Sequence, residues 1–337
     1  MEDVLVEKGN NLDSLRRLLK RMEVPFSGTK RVGIKTHWGE KGNTSFLPPL
    51  YVREIAHWLK HLGCEPFVFD TTVLYSGSRR DGKRALQTAY EHGYCQEYLG
   101  CPVIIADGFE GRDVVDIPAP YKHFSSVQVA SLINDDCGFV VFSHFKGHLA
   151  ASFGGAVKNL SMGFASRAQK QRMHADVKPE LEREKCTRCG TCIALCPSKA
   201  ATFGDDGFPV YDYVICLGCA QCIALCPELA LKIIWGEDQG AFQEKLIETA
   251  AALWKKLKGR TIFINALIHI TSDCDCLEGD HPVIAPDFGF VGGYHPMAVD
   301  EKSLKIVGTE PFEKAHPHLP WQRQFAYADE IGFYPEK

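Results

Sequence analysis

CTRCGTCIALCP at residues 186–197 returns as CLGCAQCIALCP at residues 216–227. Both segments obey one spacing, Cys-x2-Cys-x2-Cys-x3-Cys-Pro, and together they hold eight of the chain's fourteen cysteines. On either side of this stretch the pattern is different. Upstream, apolar runs at 4–9, 31–38, 65–72, 102–107 and 139–145 read as strands. Helical stretches at 12–22, 50–62, 82–98 and near 126–135 fall between them, the first with Leu12, Leu15, Leu18, Leu19 and Met22 on one face. Downstream the alternation resumes with a helix at 242–258, a strand at 261–270 and a further strand around 283–291. Strands alternating with helices predict βα units. The expected fold is α/β: a mostly parallel, doubly wound sheet with a small α+β module inserted in it. Residues 1–180 and 237–337 form the two parts of the α/β domain, and 181–236 the insert. Such insertions succeed at surface loops, where the chain ends lie close together.

In a reducing compartment, clustered cysteines point to metal rather than to disulfides. The x2, x2, x3 run, given twice, is that of the two-cluster bacterial ferredoxins, so the insert is expected to be a ferredoxin-like module. Three cysteines at three-residue intervals wrap a loop around one face of a cubane, with backbone N–H groups aimed at sulfur. The fourth reaches the other cluster. Cys186, Cys189, Cys192 and Cys226 are therefore assigned to one [4Fe–4S] cluster, and Cys216, Cys219, Cys222 and Cys196 to the other. Pro197 and Pro227 stop each following turn from continuing as helix. Zinc ribbons use two separated Cys-x2-Cys pairs and do not match this run.

A net charge of −4 does not point to nucleic acid or to an anionic membrane surface. No apolar run approaches the ~18 residues that span a bilayer. The start, MEDVLVEKGN, has no apolar segment of the secretory kind. A cytoplasmic protein with neither membrane nor nucleic-acid partner is expected. An electron relay calls for a redox partner protein, which the balanced charge of the insert does not identify.

The rest of the chain resembles the domain-of-unknown-function 362 family. The motifs that carry the resemblance are Lys146-x-His148, then Gly154-Gly155-Ala156-Val157-Lys158-Asn159-Leu160, Cys274-Asp275-Cys276, Asp287-Phe288-Gly289, and His295-Pro296 followed by Asp300. Lys35-Thr36-His37 stands where the family usually has a Lys-Pro-Asn-like strand end. The resemblance implies an α/β domain coupled to iron–sulfur clusters, without naming an activity.

Open α/β sheets bind ligands beyond the carboxyl ends of their strands. Three polar motifs are predicted at such ends: Lys35 and His37; His144, Lys146 and His148; and Cys274, Asp275 and Cys276. Lys146, His148, Lys158 and Asn159 are the candidate catalytic residues. Gly154 and Gly155 are candidates for cradling an anionic cofactor, because glycine permits close backbone approach. Neither a P-loop nor a dinucleotide fingerprint occurs. Cys274 and Cys276 are candidate ligands of a third metal, completed by His148 or His295. Alternatively they are a redox dithiol, or an organic cofactor occupies the strand ends. Cys64, Cys95, Cys101 and Cys137 lack ligand spacing and read as packing residues. His316-Pro317-His318 reads as a loop. Three functions fit these features: an iron–sulfur oxidoreductase passing electrons to a small-molecule substrate on the α/β domain, a pure electron carrier, and a non-redox metal-dependent enzyme with structural clusters.

Overall fold

The computed structural model describes residues 4–26, 28–174, 178–216, 218–232 and 238–334. Its main sheet is built around β7 (Cys137–His144), whose eight residues are all buried. Its neighbours are β2 (Arg31–Lys35) on one side and β12 (Thr261–Leu267) on the other. Beyond β2 lie β3 (Glu65–Asp70) and β4 (Val103–Ile105). Beyond β12 lie β15 (Gly289–Gly293) and β1 (Leu5–Lys8). Strands β4, β3, β2, β7 and β12 run parallel, and β15 runs antiparallel to both of its neighbours. The sheet is thus mixed and mostly parallel. Strands from both sides of the cysteine-rich insert share it.

Alternate residues of β7 serve opposite cores, as the two-residue period of a strand requires. Phe139 and Val141 join the core that contains residues of α5 (Ala156–Phe164), α9 (Gln239–Leu257), α10 (Pro296–Val307) and α12 (Gln322–Glu330). Val140 and Phe142 join the core under α1 (Leu12–Arg21), α2 (Pro49–His61) and α3 (Gly82–Glu91). Burial on both faces explains why β7 and β12 read as unbroken apolar runs.

Four sequence expectations are corrected. The helix expected near 126–135 is a strand, β6 (Ser126–Ala130), paired antiparallel with β5 (Val114–Pro118), followed by a short 3-10 turn. Val127 and Val129 are both fully buried, a spacing that a strand and not a helix turns to one side. The helix expected over 82–98 ends at Glu91, because Gly93 adopts φ +80°, and a single turn follows as α4 (Gln96–Leu99). The run at 261–270 breaks after Leu267, where His269 takes φ +52° and its N–H donates to Asp287 Oδ1 at 2.7 Å. The chain continues as β13 (Ile270–Thr271), paired with β14 (Val283–Ala285), so the strand expected at 283–291 is also two elements.

The insert contains a hairpin of β10 (Ala201–Phe203) and β11 (Pro209–Tyr211) and two single-turn helices, α7 (Thr191–Ala194) and α8 (Gln221–Ala224). Its ends meet: Glu182 N–H donates to Ala230 O at 2.8 Å, and Lys232 N–H to Glu180 O at 3.0 Å. The expected boundary at 236 and 237 lies outside the described residues. An apolar cluster of Leu74, Ala168, Ala220, Ile223, Ala224 and Leu231 joins the insert to α6 (Arg167–His174) of the α/β part. Cys101 and Cys137 lie in the cores and Cys64 packs beside one, as packing residues do. The last helices, including α11 (Glu310–Ala315), pack on the same core through Phe312 and Tyr327. Beyond α11, His316 Nε2 lies 2.7 Å from Ser272 O. No helix among the described residues is long and apolar enough to cross a membrane.

Candidate active site

The chain leaves β2 toward β3 and β4 on one side, yet β7 lies on its other side. Such a reversal opens a crevice at the carboxyl ends of the two strands. Here the crevice is a cleft of about 620 Å³, within the usual range for small-molecule sites. Strand ends supply Lys35, Asp70 and His144. A hairpin of β8 (Lys146–His148) and β9 (Ser152–Gly154) supplies Lys146 and His148. Helix α5 supplies Lys158 and Asn159, and the turn after β13 supplies Cys274 and Cys276. The hairpin reaches that turn because Gly147 has no Cβ; one there would collide with the carbonyl of Ser272. All the candidate catalytic residues thus converge on one cleft.

Two buried carboxylates organise its floor. Asp70 receives Lys35 Nζ at 2.9 Å and Arg79 Nη2 at 2.5 Å. Burial opposes its ionisation, but Lys35 and Arg79 hold its carboxyl below the usual range. Arg79 Nη1 also lies 2.5 Å from His37 Nε2, while His37 Nδ1 accepts the Gly39 N–H at 3.0 Å. Burial, aided by Arg79, pushes His37 down to about 3, so its ring is neutral. Asp275 is fully buried and takes Lys146 Nζ at 2.9 Å and His144 Nδ1 at 3.1 Å. Its carboxyl is likewise held low against burial, by His144 and Lys146. Asn159 is used up as a bracket. Its Nδ2 donates to Phe142 O and Ser143 Oγ at 3.0 and 3.1 Å, and its Oδ1 accepts Lys35 Nζ at 2.9 Å. Lys170, from α6, is brought down to about 8 by burial, and donates to Thr71 Oγ1 at 2.8 Å.

The cysteines lie in the cleft wall. Leu277 N–H donates to Cys274 O at 3.0 Å, closing a turn with Asp275 and Cys276 in its middle. The two sulfurs are 2.7 Å apart, and Lys158 Nζ lies 3.7 Å from Cys274 Sγ. The Cys276 thiol, then Lys158 and His148, hold Cys274 well below the ordinary thiol range against the opposing effect of burial. The hydrogen bond it donates to Cys274, then burial and the Cys274 charge, push Cys276 well above that range. One ligand atom each from His148, Cys274 and Cys276 lies within 4.8 Å of the others. His295, the other residue considered for that shell, is elsewhere: it starts α10 and packs against Trp254 and Phe333.

The glycine turn has a different role from the one expected. The first amides of α5, Ala156 N–H and Val157 N–H, already donate to Asp300 at 2.6 and 2.9 Å. A Cβ on Gly155 would collide with that carboxylate. The anion at this helix terminus is internal, so Gly154 and Gly155 border the cleft without offering it those amides. Sequence reasoning missed Arg79, Lys170 and His174. Asp70 did carry a signal, a charged residue ending an apolar strand beside the one that ends in Lys35.

In the insert, Cys186, Cys189, Cys192 and Cys226 line one small cavity, and Cys196, Cys216, Cys219 and Cys222 line another. The repeat extends to the backbone. Arg188, Gly190 and Lys199 have positive φ, and so do Gly218, Ala220 and Leu229 at the matching positions of the second copy. Left-handed conformation at four non-glycine residues costs about 1 kcal/mol each and persists where the surroundings impose it. Arg188 N–H and Ala230 N–H point at Cys186 and Cys226 sulfurs, 3.4 and 3.3 Å away. These donor sets and loop shapes fit [4Fe–4S] cubanes. The insert also touches the cleft wall. Arg80, next to Arg79, donates to Ala224 O and Cys226 O at 2.8 and 3.2 Å. Leu74 borders the cleft and packs in the apolar cluster with Ile223 and Ala224.

The sequence model of the family described as "Domain of unknown function (DUF362)" matches residues 32–305. Pyruvate synthase subunit PorD from Pyrococcus horikoshii is 43% identical over 35 residues, 10% of this chain and 33% of that protein. The PorD of Pyrococcus abyssi is 40% identical over a stretch of the same length. The matches span only a third of these curated relatives. A crystal structure of a Thermotoga maritima protein aligns with TM-score 0.46 at 11% identity, covering 87% of this chain and 57% of that one. The lactate racemase apoprotein of Thermoanaerobacterium thermosaccharolyticum aligns with TM-score 0.44 at 12% identity, covering 89% and 55%.

Proposed function

This chain belongs to the DUF362 family, and from that premise and the site's geometry we propose that it is an iron–sulfur oxidoreductase. Two [4Fe–4S] clusters pass electrons from a redox partner protein to a small molecule in the strand-end cleft, in the reducing cytoplasm. Cys186, Cys189, Cys192 and Cys226 hold one cluster; Cys216, Cys219, Cys222 and Cys196 hold the other. The observation that carries the reading is the pair of cysteine quartets, alike in backbone conformation and set against the wall of a cationic cleft. The short match to pyruvate synthase subunits points the same way, toward redox chemistry.

The clusters supply single electrons when bound. The chain's own residues bind and orient the substrate. Lys35, Arg79, Lys146, Lys158 and Lys170 line the cleft, where Asp70 is the one carboxylate among the described lining residues and Asp275 lies buried behind Lys146. Such a surplus of cations selects an organic anion. Lys158, whose Nζ lies 3.7 Å from the Cys274 sulfur, faces it, while Val73, Leu74, Met162 and Leu277 cover its apolar body. A pure electron carrier has no use for this cleft. A non-redox metal enzyme, with a third ion on His148, Cys274 and Cys276, has their proximity in its favour.

Anaerobically purified protein should contain about eight irons and about eight acid-labile sulfides per chain. Dithionite reduction should give the spin-coupled signal of two nearby clusters. Stoichiometric zinc without labile sulfide overturns the proposal.

A further inference from the structure

We propose that Cys274 and Cys276 are a redox-active dithiol that exchanges two electrons with the two clusters, Cys274 serving as the attacking thiolate and Cys276 as the resolving thiol. The inference rests on the cluster reading above and names the group to which the electrons go.

The turn closed by Leu277 N–H on Cys274 O brings the first and third residues of the turn together. A disulfide needs Cα atoms about 4.4–6.8 Å apart, a separation that such a turn supplies, and the sulfurs already stand 2.7 Å from each other. Asp275, clamped between Lys146 and His144, fixes the turn from inside. Donors converge on Cys274 Sγ: the Cys276 N–H at 3.4 Å, Lys158 Nζ at 3.7 Å and the Cys276 thiol. Cations and N–H donors around one sulfur are what make a cysteine an effective nucleophile.

His148 decides between a dithiol and a metal. Its Nδ1 accepts two backbone hydrogens, from Ala150 N–H at 3.1 Å and Ala151 N–H at 3.0 Å. A neutral imidazole that accepts at Nδ1 carries its proton on Nε2. A histidine that ligates metal through Nε2 shows the reverse, donating from Nδ1 to an acceptor. The ring is therefore set to donate to a thiolate. The two cysteine sulfurs beside it both border the cleft.

The step balances. One electron from each reduced cluster, together with one proton, breaks the Cys274–Cys276 Sγ–Sγ bond. Cys274 leaves as thiolate, Cys276 becomes a thiol, and both clusters end one electron more oxidised. Oxidation of the pair is the reverse. Two one-electron centres are thereby matched to one two-electron centre.

The test uses the anaerobic holoprotein and one equivalent of diamide, a two-electron thiol oxidant. Trypsin releases Thr261–Lys302 as one peptide whose only cysteines are 274 and 276. The expected result is loss of both alkylation sites and a mass lower by ~2 Da, reversed by reduction, with iron and sulfide content unchanged. Before oxidation, Cys274 should alkylate about 10-fold faster than Cys276. Cys276→Ser should abolish the intrapeptide disulfide while leaving the cluster signal intact. Two results overturn the proposal: a pair that stays fully alkylatable after diamide, or a pair blocked without a mass change while one extra zinc or iron co-purifies. Failure of the cluster reading registers separately, as missing labile sulfide.

Discussion

Replacing Asp275 with Asn removes the charge that holds the turn between the two cleft cysteines. The carboxylate is fully buried and faces Lys146 Nζ at 2.9 Å and His144 Nδ1 at 3.1 Å. Lys146, itself only 7% exposed, would keep the carbonyl of His144 at 3.3 Å and the nearby Cys274 sulfur, with no carboxylate, to offset its charge. Breaking a buried pair from one side costs about 3–5 kcal/mol, because the surviving charge is stranded. Asparagine keeps one acceptor oxygen for His144, so about 3 kcal/mol is expected. At this chain length 1 kcal/mol corresponds to roughly 2 °C, giving a Tm lower by about 6 °C in anaerobic thermal scans. Lys146→Met removes the stranded charge at similar volume. The double variant should therefore be no less stable than Asp275→Asn alone, a coupling of about 2 kcal/mol or more in the cycle. A Tm loss under ~1 °C for Asp275→Asn, or strictly additive losses in the double variant, would refute the buried-pair reasoning.

Other outcomes follow from the same geometry. Cys196→Ser should damage the cluster of the 216–222 triplet and Cys226→Ser that of the 186–192 triplet, each lowering iron from about eight to about four per chain; loss of the cluster on the mutated residue's own triplet contradicts the crossing. Burial of His295, with help from Lys258, lowers its pKa to about 4. Between pH 6.5 and 4 the unfolded chain binds a proton that the folded chain does not, so stability falls as pH drops through that window, by up to roughly 3 kcal/mol. His295→Gln should flatten the decline of Tm, and an unchanged slope counts against it. Deleting residues 181–236 and closing the gap with a short flexible linker should leave a folded α/β sheet. The insert's ends are paired at Leu181 and Leu231, and near-UV circular dichroism should persist; a molten product means that the cluster around Leu74 and Ala168 is needed for folding.

Much of the architecture was legible because burial writes itself into local pattern. The runs at 31–35, 139–144 and 261–267 are buried on both faces apart from Arg31 and read as mainly apolar strands. The cysteine repeat was legible because its ligands are close in sequence. The segment at 126–135 misled because an apolar 3-10 turn, Ser131–Asn134, follows the two-residue period of Val127 and Val129 and imitates a helix face. Arg79 gave no sign: it sits in the polar run SGSRRDG, and only the fold brings it to Asp70 and His37. His148 and His295 looked equivalent as partners for the cysteines. The β8 hairpin, admitted to the turn by Gly147, places one of them in the cleft, and α10 carries the other away. The pair Gly154-Gly155 resembled a cradle for a ligand because nothing local reveals that Asp300 already occupies it.

Iron-edge anomalous scattering from anaerobically grown crystals counts the metal clusters and places them among the cysteines. Two four-iron peaks are expected in the insert, one bounded by Cys186, Cys189, Cys192 and Cys226 and the other by Cys196, Cys216, Cys219 and Cys222. Zinc-edge peaks in their place, or each triplet closed by the fourth cysteine of its own repeat, would contradict that assignment.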